Sequence, residues 1–428
     1  MKKNIGRSIS LLLGIAMLAG CSSSGAKVGP EGGTKPEGGK PEGGAVPQRV
    51  LVTANDSKTS ELIAVDVAKK AVDGRLTFPS KYATTDAHSS LFPFLLGEYD
   101  NIVGRLDAVE PWRVDSSWNV LLSDAIKGGL SYSDPVAVVV GGGGKAYVLR
   151  YNRNDIAVIQ TSETVDAGKP IGTIDLSSLL QKNDADGTVE ITAGVYVAAK
   201  NRLYVVLENI DQYAVSTTGY YDLCAGTVST VVGVDTTTDK IVSLGGTGPG
   251  GAIALQGFNP VPGGLAYDAA GDRILLFEEG CYAPVGDGGA GAKSKGGVEA
   301  VSLGDNGTSV LLDVSSDFPA GSGYPSGIVY IDEAHAVLGF DFVGSEVYAW
   351  NPTQAKLGPK IPNAPDSFTY DGAGNLLGTL KKNDAGGNCV SESVVSVDVG
   401  TGQSTELALN PFTTMCPLIG GVDVWPHP

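Results

Sequence analysis

Carboxylates, rather than histidines, are the groups in this sequence that could do chemistry. The chain contains 47 Asp and Glu residues but only three His. Stretches with several side-chain oxygens close together suit a hard cation such as Ca²⁺, although ordinary turn chemistry explains them first. None has the regular spacing and late Glu of an EF-hand loop. These stretches are Asn183–Thr188, Asp305–Gly307 and Asp371–Asn375.

Nucleophilic and acid–base catalysis have little support in the sequence. His427 lies at the chain end, His335 follows the turn that starts at Asp332, and His88 fits a loop or core position. No Gly-x-Ser-x-Gly nucleophile elbow occurs. The stretch Gly141–Lys145 looks like a phosphate loop but lacks the Lys-Ser/Thr ending and the following helix. We therefore predict no catalytic residues and no required cofactor, with Ca²⁺ as the one ion that could bind.

The N-terminus carries an export signal. Lys2, Lys3 and Arg7 precede the apolar run Ile9–Ala19. This run is too short to cross a bilayer, because a spanning helix needs about 20 apolar residues. It ends in Leu18-Ala-Gly-Cys21, which resembles the bacterial lipobox.

That resemblance implies cleavage after residue 20 and acylation of Cys21, so residues 1–20 are predicted to be a signal peptide. Ser22 stands where the lipoprotein family uses Asp for inner-membrane retention, which implies the outer membrane. The alternative is an ordinary secretory signal with an incidental cysteine. Residues 21–48 hold the lipidated Cys and a linker with three Pro-Glu-Gly-Gly repeats, whose composition predicts a disordered tether.

The remaining residues, 49–428, have the composition of a turn-rich β protein. The full sequence contains 60 Gly and 23 Pro, and only 18% of its residues are charged. Its formal net charge is −17 at pH 7, and loss of the signal would make it −20, because that segment carries three cations and no acid. Such a surface repels nucleic acid and anionic lipid headgroups, so neither is expected as a partner of the folded domain.

A short apolar strand that closes on a polar residue recurs seven times, at steps of 41 to 75 residues. Several copies continue into a turn and another strand, since Asp followed by Thr or Gly suits a tight turn. The closing polar residues are Asp66, Asp107, Gln160, Asp235, Ser302, Asn351 and Asp398.

A two-stranded hairpin precedes most of these repeats. It is clear in Pro262–Phe277, Pro325–Phe340 and Pro365–Leu377, and looser in Val136–Leu149 and Val195–Leu207. Hairpin, repeat and following strand make a four-stranded unit, A to D, at the period of propeller blades.

The two ends of this region complete one another. Leu51–Asp56 fits a strand B with no strand A before it, and Pro417–Trp425 fits a strand A without a blade of its own. Joining them removes exposed sheet edges. We therefore predict an all-β fold, a seven-bladed β-propeller of four-stranded blades, closed by the C-terminal strand A joining the N-terminal blade. Blade 2 is irregular, with its strand A near Thr84–Ser90. A β-sandwich or two β domains are the alternatives.

The stretch Leu51-Val-Thr-Ala-Asn-Asp56, followed by Leu62-Ile-Ala-Val-Asp66, is similar to the YVTN family of bacterial surface β-propellers. Over roughly residues 49–426 the chain also resembles SMP-30, NHL and lactonase propellers. SMP-30 and lactonase propellers hold a cation at the channel mouth with Glu, Asn and Asp from several blades. Here we expect a ring of solvated or hydrogen-bonded carboxylates at the equivalent place. Positions that begin strand A or end strand B could face it: Asp134, Glu208, Asn259, Glu278, Asp341 and Asp366.

Loop lengths predict that one face of the propeller binds a ligand. The D–A and B–C loops share one face, here called the top, and the A–B and C–D turns share the bottom. Insertions on a single face of a rigid scaffold are typical of a binding site. Four tyrosines in the insertions suit an interface, although packing beneath the insertions is an equal alternative. The insertions are Ser177–Gly187, Asp211–Thr227, Glu279–Lys295 and Lys382–Ser391, and the tyrosines are Tyr213, Tyr220, Tyr221 and Tyr282.

Four cysteines besides Cys21 allow three disulfide pairings. Cys224 and Cys281 lie in the top insertions of blades 4 and 5, while Cys389 lies in that of blade 7 and Cys416 precedes the closing strand. Proximity therefore predicts Cys224–Cys281 and Cys389–Cys416, which an oxidising exported compartment permits. Free or metal-binding cysteines are the alternative, but no Cys-x-x-Cys spacing occurs.

The sequence therefore favours an exported, membrane-anchored, monomeric propeller without catalytic activity. Its loop-rich face would bind another surface protein, a polysaccharide or a peptide at the cell envelope. Two alternatives remain open: a metal-dependent hydrolase or lactonase of the SMP-30 type, and a structural envelope lipoprotein.

Overall fold

Seven four-stranded antiparallel sheets form the blades of a β-propeller in the computed structural model. This confirms the predicted all-β fold and number of blades. Among the described residues outside these sheets are turns, loops, one two-stranded hairpin and four short 3₁₀ helices, at Gly142–Gly144, Ser177–Leu179, Ala198–Lys200 and Pro249–Gly251. The residues that the structure describes are 46–56, 58–87, 92–121, 132–161, 168–211, 226–282, 293–319, 322–341, 345–414 and 416–426.

The first four blades follow one another along the chain, each with its strands in sequence order. Blade 1 contains β1 (Arg49–Asn55), β2 (Ser60–Asp66) and β3 (Ala71–Phe78); blade 2 contains β4 (Ala83–Asp86), β5 (Phe94–Gly97), β6 (Ile102–Leu106) and β7 (Val114–Asn119); blade 3 contains β8 (Pro135–Val140), β9 (Lys145–Arg150), β10 (Asp155–Gln160) and β11 (Gly172–Asp175); blade 4 contains β12 (Ile191–Val197), β13 (Arg202–Leu207), β14 (Thr230–Asp235), β15 (Lys240–Val242) and the short β16 (Ile253–Ala254).

The last three blades repeat this arrangement, and blade 5 adds a small hairpin between its second and third strands. Blade 5 contains β17 (Pro260–Asp268), β18 (Arg273–Glu278), the hairpin β19 (Cys281–Tyr282) with β20 (Lys293–Ser294), β21 (Gly297–Ser302) and β22 (Thr308–Asp313); blade 6 contains β23 (Tyr324–Asp332), β24 (His335–Asp341), β25 (Glu346–Asn351) and β26 (Lys356–Lys360); blade 7 contains β27 (Ser367–Tyr370), β28 (Asn375–Asn383), β29 (Cys389–Asp398) and β30 (Ser404–Leu409); the chain closes with β31 (Leu418–Trp425).

The ring closes through the two ends of the propeller, as predicted. Strand β31 pairs antiparallel with β1, from Arg49 opposite Trp425 to Asn55 opposite Leu418. It thereby supplies strand A of blade 1 and removes two free sheet edges. In blade 2, strand A was predicted near Thr84–Ser90; it begins one residue earlier and ends at Asp86.

The seven repeated polar residues stand at, or directly after, the end of strand C in every blade, which confirms the repeat. Six of the seven, all but Gln160, accept a backbone N–H group of the C–D turn and so cap it. The Asp235 carboxylate accepts the backbone N–H groups of Thr237 and Thr238, both at 2.9 Å, and Asp398 accepts that of Thr401 at 2.7 Å. Short side-chain acceptors compete for turn N–H groups in this way, so the motif is structural.

Apolar clusters lie between all seven pairs of neighbouring blades and form the core. Successive residues of one strand enter different clusters: Leu275 packs toward blade 6, whereas Ile274 and Leu276 pack toward blade 4. The inner strands are consequently apolar at nearly every position, because both faces of each sheet are covered. Each fully buried Leu or Ile contributes about 1.5–3 kcal/mol, which keeps the blades rigid behind the loops.

Top-face connections are long and partly structured. Strand β28 continues to Asn383, and β29 begins at Cys389, so the blade 7 insertion is an extended hairpin whose turn is capped by Asp384. The connection from blade 3 to blade 4 runs over residues 176–190 and includes one 3₁₀ turn. Among the described residues, no helix is long and apolar enough to cross a membrane.

Candidate functional site

The top-face ends of strands A and B are joined by the same backbone bond in four consecutive blades. In each, the carbonyl of the residue before strand A accepts the N–H of the residue after strand B. Equivalent positions in a propeller are related by rotation about its axis, so these residues lie along one rim. We call them the mouth. They are Tyr82 with Glu98 (3.2 Å), Asp134 with Tyr151 (2.8 Å), Glu190 with Glu208 (2.9 Å) and Asn259 with Glu279 (2.9 Å).

Three mouth residues have left-handed backbone conformations. The φ angle is 54° at Asp134, 42° at Glu190 and 60° at Asn259. Outside glycine this conformation costs on the order of 1–3 kcal/mol and persists where surrounding contacts enforce it. Asn tolerates it well, but Glu does not, so backbone strain at Glu190 marks this rim as a functional candidate.

Three tyrosines lie beside two mouth carboxyl groups. The Tyr99 ring centroid is 5.1 Å from that of Tyr82 and 4.7 Å from that of Tyr132, and all three side chains are half-buried. Burial, together with the charge of Asp134, raises the pKa of Glu98 to about 7, and burial raises the pKa of Asp134 to about 7. We call these five residues the tyrosine–acid patch. It offers apolar ring faces next to two acids for which no ion pair is seen among the described residues.

Carboxyl groups from two top loops and the mouth meet at blade 4. One carboxylate oxygen from each of Asp184, Asp186 and Asp211 lies within 4.8 Å of the others. The Thr188 hydroxyl contacts Asp186 Oδ1 at 2.7 Å and also Glu190 Oε1. Glu190 is fully buried. Together with Glu208 of the mouth, these acids are called the acid cluster: Asp184, Asp186, Glu190, Glu208 and Asp211.

Desolvation makes ionisation of the acid cluster unfavourable. Burial raises the pKa of Glu208 to about 8, although a hydrogen bond from Tyr151 opposes that rise. Burial and neighbouring acids raise the pKa of Glu190 well above its usual value, and burial chiefly raises that of Asp184 to about 7. Acids whose pKa values are raised in this way by burial and by neighbouring acids are typical of functional sites.

Glu278, predicted as a mouth residue, lies one position before the mouth and points elsewhere. It is 1% exposed and hydrogen-bonds Glu299, which accepts the backbone N–H groups of Gln256 and Gly257. A methyl group on Gly257 would lie 1.5 Å from Glu278 Oε2, so only glycine fits there. Glu279 instead occupies the mouth, where it accepts the Asn259 amide at 3.1 Å. Side chains alternate along a strand, so a shift of one residue changes the face.

The other predicted site residues are dispersed. Asp366 accepts the N–H of Lys381 at 3.0 Å beside strand A of blade 7. Asp341 ends strand B of blade 6. Exposed His335 contacts Asp332 of its own turn at 2.8 Å. Tyr213, Tyr220, Tyr221, His88, His427, Cys21 and the side chain of Tyr282 lie outside the described residues.

One predicted disulfide is confirmed. Cys389 and Cys416 are bonded, with their Cα atoms 6.2 Å apart, and tie blade 7 to the segment before the closing strand. Cys281 is also disulfide-bonded, but Cys224 lies outside the described residues, so the Cys224–Cys281 pairing stays a prediction.

Turn chemistry accounts for the other cation-like stretches. Asp305 accepts the N–H of Gly307 at 3.1 Å, and Asp371 accepts those of Ala373 and Asn375 at 2.7 and 2.9 Å. The glycine run before Lys145 forms a 3₁₀ turn between β8 and β9 on the bottom face. Among the described residues, neither the Asp305 turn nor the Asp371 turn brings in an acid from a second loop.

Several residues of the site were missed from the sequence. Glu98, Tyr151, Glu190 and Glu279 follow from a rule that the blades themselves supply, namely the residue before strand A and the residue after strand B. Asp211 carries no such signal, because its proximity to Asp184 depends on how two loops fold over blade 4.

Comparisons with known proteins support the fold. No protein-family model and no curated protein sequence matches this chain. Solved structures do match at low identity, which shows the seven-bladed propeller fold alone. A Lactobacillus plantarum protein is 13% identical with a TM-score of 0.54, covering 88% of this chain and 99% of that one.

Two further matches have similar scores. A Bacteroides fragilis protein provisionally named 6-phosphogluconolactonase is 12% identical with a TM-score of 0.51, covering 90% of this chain and 99% of that one. A Desulfotomaculum acetoxidans protein of unknown function is 10% identical with a TM-score of 0.51, covering 87% and 98%. At these identities the three neighbours support the propeller fold and nothing more specific.

Proposed function

We propose that this protein is a non-catalytic binding module of a bacterial cell envelope, anchored by a lipid on Cys21, that takes its ligand on the top face. The observation that carries the proposal is the tyrosine–acid patch. The Tyr99 ring contacts those of Tyr82 and Tyr132, and all three are half-buried, which is typical of aromatic residues at binding surfaces. The bottom face offers mainly short turns capped by their own Asp side chains.

The chemistry of the patch favours a positively charged segment of an envelope protein or peptide. Lysine or arginine would meet tyrosine faces, which attract cations, and the carboxyl groups of Glu98 and Asp134, whose pKa values burial raises to about 7. A nearby cation lowers the pKa of such acids and restores their charge. The net charge of −17 would also speed the approach of a basic partner.

A capture experiment tests this proposal. The mature protein would be immobilised and exposed to envelope extract, alongside the double variant Glu98→Gln/Asp134→Asn and the control Asp305→Asn, which changes an exposed bottom-face acid. We expect a basic partner that wild type and control retain, that the double variant loses at least tenfold, and that salt releases. A partner retained equally by all three, or a polysaccharide as the captured species, would contradict it.

The lipid anchor is tested separately. Metabolic labelling with a fatty acid should mark the wild-type protein and leave Cys21→Ser unlabelled. Membrane fractions should contain the wild type, whereas the variant should be found free of membranes. An unlabelled wild type, or a variant that stays with the membrane, would contradict the anchor.

A metal-dependent hydrolase is the second candidate. A carboxyl group with a pKa of about 8, such as Glu208 beside Tyr151, suits general acid–base catalysis near neutral pH. This candidate expects lactone hydrolysis that a chelator abolishes and that Glu208→Gln lowers at least 100-fold. Equal rates for wild type and Glu208→Gln would exclude it.

A further inference from the structure

We infer that Asp184, Asp186 and Asp211 bind one Ca²⁺ ion on top of blade 4, with Glu190 as a further oxygen donor. This site goes beyond the proposed function and does not depend on it. Its ligands come from the loop before strand A of blade 4 and from Asp211 in the connection after strand B of the same blade. They are not acids from several blades around the axis.

The spacing of the three aspartates fits a single ion. Ca²⁺ lies about 2.3–2.6 Å from its oxygen ligands, so two ligands of one ion are separated by at most about 5 Å. One oxygen from each aspartate satisfies this limit, since all three lie within 4.8 Å of one another. The limit is met without moving any backbone.

The loop directs its oxygens toward one another through alternate residues. Asp184, Asp186, Thr188 and Glu190 occupy every second position, so their oxygens can converge on one point. Asp184 Oδ1 accepts the N–H groups of Asp186 and Gly187, at 3.2 and 3.1 Å, which leaves Oδ2 for a ligand. Asp186 Oδ1 accepts the N–H of Thr188 at 2.9 Å. These bonds hold the carboxylates in place before any ion binds.

A side chain of the neighbouring blade clamps the same loop. Asn154, in the B–C connection of blade 3, donates its amide to the Gly187 carbonyl at 2.8 Å and accepts the Val189 N–H at 3.0 Å. Both contacts fix the backbone between Asp186 and Glu190. The loop is therefore attached to two blades, and pre-organised ligands lose little freedom on binding an ion.

Two buried carboxylate oxygens support a cation at this place. Glu190 is 0% exposed, and its Oε2 has no hydrogen-bond partner among the described residues. The same is true of Asp184 Oδ2. In addition, the single Thr188 hydroxyl hydrogen cannot serve Asp186 and Glu190 together, although both oxygens contact it. Buried carboxylate oxygens without a partner are expensive, and a cation bound beside Asp184 and Glu190 satisfies both of the unpartnered oxygens.

The donor set selects the metal. Every donor named is an oxygen, and three or four carboxylates suit Ca²⁺ better than Zn²⁺, which prefers imidazole or thiolate. Mg²⁺ usually retains several waters and needs near-ideal octahedral geometry. A cluster of buried carboxylates that can vary their distances therefore favours Ca²⁺.

Calorimetric titration with calcium chloride tests the site in the full mature protein after treatment with a chelator. We expect one ion per chain with a Kd of about 10⁻⁴–10⁻³ M, the range of extracellular calcium-binding modules. Asp186→Asn and Asp211→Asn should each weaken binding at least tenfold. Asp305→Asn is the matched control, because it makes the same change in an exposed turn that gathers no second acid, and it should bind as wild type does.

Thermal unfolding keeps the test decisive if a variant is altered in stability. Ca²⁺ should raise the Tm of wild type and of Asp305→Asn but not that of Asp186→Asn. Without Ca²⁺, Asp186→Asn should melt no lower than wild type, since it removes a charge from a crowded group of acids. The inference would be overturned if folded wild type gave no heat and no change in Tm at a Ca²⁺ concentration 10-fold above the highest expected Kd. It would also be overturned if Ca²⁺ raised the Tm of Asp186→Asn as much as that of wild type.

Discussion

Carboxyl groups in the bottom-face turns and carboxyl groups at the mouth of the propeller have pKa shifts of opposite sign. On the bottom face, Asp235 and Asp398 cap their turns, and the hydrogen bonds of Thr238 and Thr401 lower the pKa of each. On the top face, burial raises the pKa of Glu208 to about 8 and that of Asp134 to about 7. A bottom carboxylate is therefore satisfied by its own turn, as Asp384 is in the top hairpin of blade 7, whereas a carboxyl group at the mouth needs a proton, a cation or a partner.

The difference shows which acids of this fold are structural. A turn N–H group is always within reach of an Asp at the end of strand C, so that acid needs nothing from outside the blade. The mouth acids Asp134 and Glu208 are instead buried, and burial makes their charged forms costly. Their cost must be balanced by the rigid blades beneath or by a ligand.

Removal of the seam disulfide should have the largest effect. The double variant Cys389→Ser/Cys416→Ser opens a loop with a sequence separation of 27 residues on the top side, and loops of this size contribute about 3–4 kcal/mol to the free energy of unfolding. Urea denaturation would measure the loss. A midpoint equal to that of wild type would show that the bottom turns and blade contacts hold the seam without it.

The buried carboxyl pair of blade 5, Glu278 and Glu299, should make the folded protein more stable in acid than at neutral pH, the reverse of what ionised carboxylates usually do. Burial and Glu299 raise the pKa of Glu278, so the folded protein holds this proton more tightly than the unfolded chain does. Its stabilising contribution is complete below about pH 4, the unfolded pKa, and is lost as pH rises through the folded pKa.

The free energy of unfolding of Glu278→Gln should therefore fall less than that of wild type between pH 5 and pH 8, because the neutral amide cannot ionise. At pH 8 it should be higher than that of wild type by about 1–3 kcal/mol. Urea denaturation at both pH values would measure this. The matched control is Glu333→Gln, an exposed residue, which should follow wild type. If the free energies of unfolding of wild type and Glu278→Gln changed equally with pH, the buried carboxyl group would not destabilise the protein on ionisation, and the contrast with the bottom-face acids would be wrong.

A bottom cap should show the smallest effect and the opposite sign with pH. Asp398→Ala should lower the Tm by about 1–2 °C, whereas Asp398→Asn, which keeps the acceptor oxygen for Thr401, should lower it less. Since the folded pKa of Asp398 is lowered, its contribution is present above about pH 4 and is lost in more acidic solution. A larger loss at pH 7 for Asn than for Ala would contradict the capping role.

Much of the fold followed from the sequence. The seven closing residues and the unmatched ends, Leu51–Asp56 and Pro417–Trp425, predicted the blades and the seam, because strand periodicity and turn residues are local signals. Three of the six predicted mouth residues, Asp134, Glu208 and Asn259, occupy that rim. Glu278 does not, since a strand that is buried on both faces carries no alternation from which to read the direction of a side chain.

What the sequence determined by itself was the repeating unit: apolar strands, Asp-capped turns, and cysteines close enough along the chain to place one seam disulfide. Only the tertiary structure decided which acids meet. Asp211 joins Asp184 and Asp186 because two loops fold over one blade, and the tyrosine–acid patch forms because blade 2 lies against blade 3. Such contacts depend on the paths of the loops and on how neighbouring blades are oriented. Neither produces a periodic pattern in the sequence.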